Sequence, residues 1–383
     1  MTDYSERALL PEGFHDTLAP DAEYEASVRA RLLARFAAFG YDRVAPPLVE
    51  FEESLLAGAG HKLARRMFRV MDPTTQRMMG LRSDMTIQVA RIAATRLAAD
   101  PRPLRLCYAG QVLRVQGGQL RTEREFGQAG IELIGSESLE ADVEVLLLAS
   151  EALKAVGVPA VSIDLTVPTL APAIAEAFGL DAADAEALRA ALNNKDIGRL
   201  EAVDGVAGDL FRGLLTAAGP ADEALVALQG LQLPDAARTI VDDLAALVER
   251  LAEVAPDQTF TIDPGEFRGF EYKTGIGFTL FADNVRGELG RGGRYEIERA
   301  DGSREPATGF TLYIDSLLRA LPAASPIEKL YVPWGTRPEA IASLHERGWR
   351  TVRALEPIDD DRAEAIRLGC SHILQNDKVV ALA

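Results

Sequence analysis

Arg124-Glu-Phe-Gly-Gln-Ala-Gly-Ile-Glu-Leu-Ile-Gly135 carries the alternation of an extended strand. Successive side chains of a strand point to opposite faces, so Phe126, Gln128, Gly130 and Glu132 share one face. Gly127, Ala129, Ile131 and Leu133 share the other, which is small and apolar enough to lie on a core. The first face sets an aromatic ring, an amide, a glycine and a carboxylate in a row. A plain half-buried strand would show mixed charges to water there. This row suits the floor of a pocket, with Gly130 admitting a ligand and Gln128 and Glu132 gripping its polar ends. A solvated face is the competing reading of the same alternation.

The surroundings extend the pattern. Leu106-Cys-Tyr-Ala-Gly-Gln-Val-Leu-Arg-Val115 has strand composition, and Gln116 to Glu123 reads as the loop joining it to the next strand. Arg114 then ends one arm and Arg124 begins the other. Glu23 to Phe39 is an amphipathic helix ending at Gly40, and Leu139 to Gly157 is another. From Thr169 to about Val254 the chain is rich in Ala, Leu, Asp and Glu at helical spacing, punctuated by Pro172, Pro220 and Pro234. It reads as an all-helical insertion, over about 169–256, between early and late strands of one sheet. Leu321-Pro-Ala-Ala-Ser-Pro326 has linker composition. The remainder alternates strands near 329–334, 351–355, 372–375 and 379–382 with helices near 338–348 and 360–368. The expected architecture is α+β: a main domain over 1–325 with one mainly antiparallel sheet and flanking helices, then a small C-terminal α/β domain over 326–383.

Composition narrows the class of function. The chain has 383 residues, 48% of them hydrophobic, enough for a large core and more than one domain. Its 58 acidic and 41 basic residues leave a net charge of -17. A nucleic-acid binder needs a basic footprint to release counterions from phosphates. The densest basic run, His61-Lys-Leu-Ala-Arg-Arg66, is short, so no nucleic-acid partner is expected. Cys107 and Cys370 stand far apart and four histidines are scattered, which points to neither a disulfide framework nor a zinc site. With no apolar run of spanning length and no signal-peptide profile, the expectation is a soluble cytoplasmic protein without a membrane partner.

Tyr108 to Gly135 resembles motif 2 of the class II aminoacyl-tRNA synthetases, in the version of the histidyl-tRNA synthetases. Four further blocks agree in order. Gly40-Tyr-Asp-Arg-Val-Ala-Pro-Pro-Leu-Val-Glu50 is similar to motif 1, the dimer-forming strand. Leu81-Arg-Ser-Asp-Met-Thr86 is similar to the block that holds an amino group. Arg268-Gly-Phe-Glu-Tyr-Lys-Thr-Gly275 is similar to a block peculiar to histidyl enzymes. Gly292-Gly-Arg-Tyr-Glu296 through Asp315 is similar to the approach to motif 3. The resemblance covers about the first 320 residues. It implies a class II synthetase-like antiparallel sheet and a histidine pocket made of Asp84, Thr86, Arg114, Gln128, Glu132, Arg268 and Tyr272. By the same resemblance Gln128 meets the main-chain groups of histidine and Glu132 accepts from its imidazole N–H. Arg268 pairs with the carboxylate, and Arg114 stands where the family holds the ATP α-phosphate. A surface role for Arg114, a salt bridge from Arg268 to Glu266 or Glu271, and a core role for Tyr272 remain the plain alternatives.

The departures are as informative. Motif 3 of a working synthetase ends in a Glu-Arg pair whose arginine covers the adenine; here the pair is Asp315-Ser316. A serine cannot stack on a purine or counter phosphate charge, as a guanidinium does. The glutamate of the amino-group block is Asp84, and the second tyrosine of the histidyl block is Lys273. The C-terminal domain is also shorter than the anticodon-binding domain of these synthetases. This set of gains and losses resembles the regulatory subunits of ATP phosphoribosyltransferase, a synthetase-like family without aminoacylation. That resemblance implies no catalysis and no cofactor. It implies binding and activation of the short-form catalytic subunit in the first step of histidine biosynthesis, feedback inhibition by histidine as allosteric ligand, and a homodimer within a hetero-octamer. A histidyl-tRNA synthetase, or another histidine-binding relative, is the alternative.

Overall fold

In the computed structural model, residues 9–56, 64–118, 121–203, 205–267, 273–299 and 301–382 are described. The chain divides into two compact units, Met1–Asp16 with Glu25–Pro322, and Thr17–Tyr24 with Ala323–Ala383. Among the described residues, the first holds twelve strands: β1 Asp42–Arg43, β2 Val49–Phe51, β3 Arg69–Met71, β4 Met78–Leu81, β5 Leu104–Leu113, β6 Glu125–Ile134, β7 Val161–Thr166, β8 Gly219–Pro220, β9 Thr259–Ile262, β10 Lys273–Ala282, β11 Gly290–Glu298 and β12 Arg304–Tyr313. Nine form one sheet in the order β1-β5-β6-β12-β11-β10-β7-β9-β8, and β2, β4 and β3 form a small second sheet. Among the described residues, only the β1–β5 and β7–β9 pairings of the large sheet are parallel. The fold is α+β, of the expected class II type.

The opening stretch is β6, paired with β5 on one side and β12 on the other. Being central, it is buried on both faces. On its apolar face Ile131 lies beside Phe310, and Phe310 meets Phe36 of the helix Asp21–Ala38 edge-on at 5.7 Å. The helix Leu139–Val156 packs against β6, β7 and β12. Ten of its side chains are buried, and Gly157 ends it in the left-handed conformation at φ 94°. On the pocket face the helix Thr86–Thr95 supplies Val89 and Ala93 to a cluster with Tyr108, Val112, Phe126, Tyr295 and Tyr313.

The motif 1 stretch is broken where its prolines stand. β1 joins the large sheet and β2 the small one, because Pro46 and Pro47 have no N–H to continue a ladder. Arg82 spans the break: its Nη1 donates to the Pro46 carbonyl at 2.8 Å and its Nε to the Gln111 carbonyl at 2.7 Å. The expected all-helical insertion contains one exception. Gly219–Pro220 pairs with β9 as an edge strand, a place that tolerates proline, while among the described residues six helices lie between residues 170 and 254.

The second unit holds β13 Lys329–Val332, β14 Arg350–Arg353, β15 His372–Gln375 and β16 Lys378–Ala381, in the order β14-β13-β15-β16. Alternate residues of β13 serve two faces. Tyr331 packs with Ala354, Ala365, Cys370 and Ile373, while Leu330 and Val332 pack with Leu344 and Leu374. Asp360 caps the helix Asp361–Arg367 by accepting from the Arg362 and Ala363 amides.

Candidate functional site

Four of the seven residues expected to hold histidine meet in one hydrogen-bonded network on the β6 face. The Met85 amide donates to Gln128 Oε1 at 3.1 Å, and Gln128 Nε2 donates to Asp84 Oδ2 at 3.1 Å. Asp84 Oδ1 also accepts from the Thr86 amide at 2.9 Å, fixing the turn into the helix Thr86–Thr95. Thr86 Oγ1 lies 3.2 Å from the Tyr108 hydroxyl, which donates to Glu132 Oε1 at 3.2 Å and lies 2.7 Å from Thr311 Oγ1. Tyr295 completes the ring of contacts by donating to Glu132 Oε2 at 2.8 Å. Gln128 and Glu132 are 0% and 1% exposed, so the solvated-face reading is excluded.

Gly130 has a different role from the one expected of it. A Cβ there would lie 2.6 Å from the Tyr108 hydroxyl and overlap the Phe310 carbonyl. The glycine makes room for Tyr108 instead of a ligand, because the opposed residue on β5 is a tyrosine pointing to the same face. A second row of glycines, hidden in the sequence, runs beside Glu132. Cross-strand partners share a face, and Glu132 is opposed by Gly309, Gly309 by Gly293, and Gly293 by Gly277. Three consecutive strands therefore leave the sheet bare of side chains beside Glu132. A Cβ at Gly309 would collide with Glu132 Oε2 and the Ile131 carbonyl.

Lys273 enters the same site from β10. It is paired with Tyr295, and the register shift between Lys273 and Gly277 turns it toward this face. Its Nζ donates to the Gly293 carbonyl at 2.8 Å and lies 5.3 Å from the centre of the Tyr295 ring. Burial lowers the Lys273 ammonium to about 8, opposed by the charges of Glu132, Asp84 and Asp142. Burial likewise raises the Glu132 carboxyl to about 7, relieved in part by the Tyr295 hydrogen bond and the Lys273 charge. Each ion is held by the other in a place that would discharge either alone.

Arg114 stands apart from this network. Its guanidinium lies 4.8 Å from the centre of the Phe126 ring, and Asp84 reaches it electrostatically. Burial lowers its pKa, with Arg121 and Arg66 adding to the effect. Arg268 and Tyr272 lie outside the described residues.

The far end of the same face is filled. Arg121 donates through Nε and Nη2 to the two oxygens of Asp315, both at 3.1 Å. Its guanidinium lies 4.1 Å from the Phe126 ring centre and 3.9 Å from that of Tyr313. Arg319 donates to Ser316 Oγ at 3.0 Å and to Asp315 at 3.4 Å. The altered pair of motif 3 is thus spent on internal arginines. Elsewhere among the described residues, Asp164, Asp263 and Glu266 bring carboxylate oxygens within 4.8 Å of one another, but Lys195 already donates to both oxygens of Asp263 at 2.6 and 2.7 Å.

Tyr108, Tyr295, Thr311 and Lys273 were not among the residues expected to hold the ligand. Tyr108 and Tyr295 stand in the quoted motif blocks, and Lys273 is a charge in an otherwise apolar strand, so each had a signal. Thr311 had none, because only the β12 register brings it to the face.

Comparison with known proteins agrees with this geometry. The histidyl-tRNA synthetase family matches residues 13–317. An ATP phosphoribosyltransferase regulatory subunit from Paramagnetospirillum magneticum is 55% identical over 99% of both chains. The same-named protein of Rhodospirillum centenum is 54% identical over 97% of this chain and 96% of its own. Among solved structures, an ATP phosphoribosyltransferase regulatory subunit/histidyl-tRNA synthetase from Bacillus halodurans superposes with a TM-score of 0.82 at 26% identity, covering 94% of this chain and 96% of that one. Histidyl-tRNA synthetase from Nostoc shares the fold at a TM-score of 0.80 and 18% identity, over 96% and 91% of the two chains. With the synthetase-like sheet, the altered motif 3 pair and near-complete coverage at this identity, the chain belongs to the ATP phosphoribosyltransferase regulatory subunit family.

Proposed function

We propose that this chain performs no chemistry of its own, binds and activates the short-form catalytic subunit of ATP phosphoribosyltransferase, and conveys feedback inhibition by histidine. The reading extends to a homodimer within a hetero-octamer, with residues 1–325 as the histidine-sensing domain, 169–256 inserted in it, and 326–383 as a separate small domain. The supporting observation is the buried network of Asp84, Thr86, Gln128 and Glu132. A zwitterion with an azole ring needs acceptors for its ammonium, a cation for its carboxylate and a carboxylate for its ring N–H. Asp84 and Gln128 suit the first need and Glu132 the last. Arg114 and Arg268 are the cations proposed for the second, with Tyr272 beside them. Sensing then requires a ligand that binds two states of the assembly unequally, and no new catalytic group.

Glu132 is the residue to remove. Losing the acceptor of a buried ring N–H costs about 1.5–3 kcal/mol, roughly tenfold or more in affinity. Because Tyr108 and Tyr295 also use that carboxylate, Glu132→Gln is the gentler test and Glu132→Ala the harsher one. Both should weaken histidine binding in calorimetry and relieve histidine inhibition of the catalytic subunit, while activation persists. A wild-type protein that binds no histidine at millimolar concentration would place the sensor elsewhere. Formation of histidyl-adenylate by the purified chain would instead favour a synthetase.

A further inference from the structure

We propose that Asp164, Asp263 and Glu266 form a binding site for a hard divalent cation, calcium or magnesium, beside the buried hydroxyls of Thr166 and Thr279. The site stands on β7, four strands along the sheet from β6, and does not depend on the histidine reading.

The strand register assembles it. Asp164 and Thr166 lie two apart on β7 and so share a face. Thr261 of β9 and Thr279 of β10 stand directly across from Asp164 on either side. Asp263 follows Ile262, the β9 partner of Leu165, and its amide donates to the Leu165 carbonyl at 2.9 Å. That step sets Asp263 beside Thr166. The Gly265 amide closes the next turn by donating to Asp263 Oδ1 at 2.9 Å, and the turn returns Glu266 to the same place. Carboxylate oxygens of the three residues then lie within 4.8 Å of one another.

Two of the three carboxylates lack partners. Asp164 Oδ1 accepts from Thr261 at 2.5 Å, and among the described residues no hydrogen bond reaches its other oxygen. None reaches Glu266. The nearby cations serve other anions: Lys195 donates to both oxygens of Asp263, and Arg291 donates to Glu288. Burial raises the pKa of both Asp164 and Glu266, and the charge of Asp263 adds to each. Thr261 relieves the first and Arg291 the second.

The hydroxyls are an independent sign of a ligand. Thr166 and Thr279 are 0% and 1% exposed, and neither Oγ1 has a hydrogen-bond partner. Both project from the Asp164 face, one along the strand and one across the ladder. Buried hydroxyls left unbonded are costly, and a cation or the water it carries would satisfy them. Every donor in the group is oxygen, which selects a hard cation over zinc or copper. The observed spread suits calcium, with bonds of about 2.3–2.6 Å; magnesium, at about 2.0–2.1 Å, would draw the oxygens inward. Lys195 answers only one of the three charges, and its side chain is 44% exposed, free to swing aside.

The test is calorimetric titration of the chelator-treated, full-length protein with calcium chloride and with magnesium chloride. One ion should bind per chain with a dissociation constant of about 1 mM or tighter, calcium ahead of magnesium. Asp164→Asn with Glu266→Gln should weaken binding about tenfold or more. That variant keeps most of the net charge of -17, so its loss separates a site from diffuse counterion attraction. Lys195→Met should bind the ion about two- to fivefold more tightly, since a half-exposed competitor is gone. If the double variant does not fold, Glu266→Gln alone decides, because it removes a repelled carboxylate and should melt no lower than wild type without the ion. No saturable binding of either ion to wild type at about ten times the expected constant would overturn the site. So would a folded Glu266→Gln that binds as wild type does, which would leave a proton shared between Asp164 and Glu266 as the occupant.

Discussion

The two ends of one sheet face have met opposite fates. At the Gln128–Glu132 end, bare backbone at Gly309 makes room for the Glu132 carboxylate within a network of acceptors and hydroxyls. At the Phe126–Tyr313 end, the aromatic surface is covered by Arg121, which Asp315 clamps through both oxygens. Both ends are well bonded, so neither is a ruin. The difference lies in what satisfies the polar groups: one end pairs a carboxylate with hydroxyls over bare backbone, and the other pairs an arginine with a carboxylate over aromatic rings.

Crowding the Glu132 end should do the most damage. Gly309→Ala places a methyl group on the Glu132 carboxylate and the Ile131 carbonyl. Overpacking of this kind costs about 1–3 kcal/mol, and histidine binding should vanish with it. A variant that is stable and still binds histidine would show that the ligand does not lie beside Glu132.

Opening the filled end should cost somewhat less. Arg121→Ala removes a bidentate pair whose side chains are 10% and 13% exposed. The loss should be about 2 kcal/mol in urea unfolding, softened because Arg319 remains near Asp315. Histidine affinity should hold within about twofold if the two ends are independent. A large change in binding would mean they are coupled, and the comparison would need a shared element.

The smallest expected effect is a slope. Burial holds the Glu132 carboxyl at about 7 in the folded chain, above its ordinary 4.5. A raised value means that the protonated form favours folding, a contribution complete below 4.5 and lost as pH rises through about 7. Lys273 stays protonated across that window. Wild type should therefore lose stability relative to Glu132→Gln between pH 5 and 7, read as diverging urea midpoints. Parallel midpoints would show that Glu132 is charged throughout and fully compensated by Lys273.

Much of the fold was legible because its signals are local. The alternation of β6, the helix ending at Gly157 and the linker ahead of the C-terminal unit each follow from short-range rules. Asp84, Thr86, Gln128 and Glu132 were legible through motif blocks that the structure brings into one network. Gly130 was misread because its neighbour across the ladder, Tyr108, is 22 residues away in sequence and decides what fills the gap. The row from Glu132 through Gly309 and Gly293 to Gly277 could not be read at all, since it exists only in the register of four strands. Register depends on bulges and turns that one sequence specifies weakly, and the shift between Lys273 and Gly277 is such a case. The same holds for the arginines: Asp315-Ser316 was visibly unlike a purine clamp, but its bond to Arg121 spans 194 residues.

The row of glycines has one more consequence, which concerns the solvent exchange of backbone protons. Ladder amides at Gly309, Gly293 and Gly277 have no side chain of their own to shelter them on the pocket face. The adjacent row, Ile131, Phe310, Gly292, Phe278 and Leu165, lies on the apolar face under the helices. All three glycines are buried, so deuterium uptake at their amides should be slow and should rise with whatever loosens these strands. Exchange along that row would read how tightly the four strands hold together.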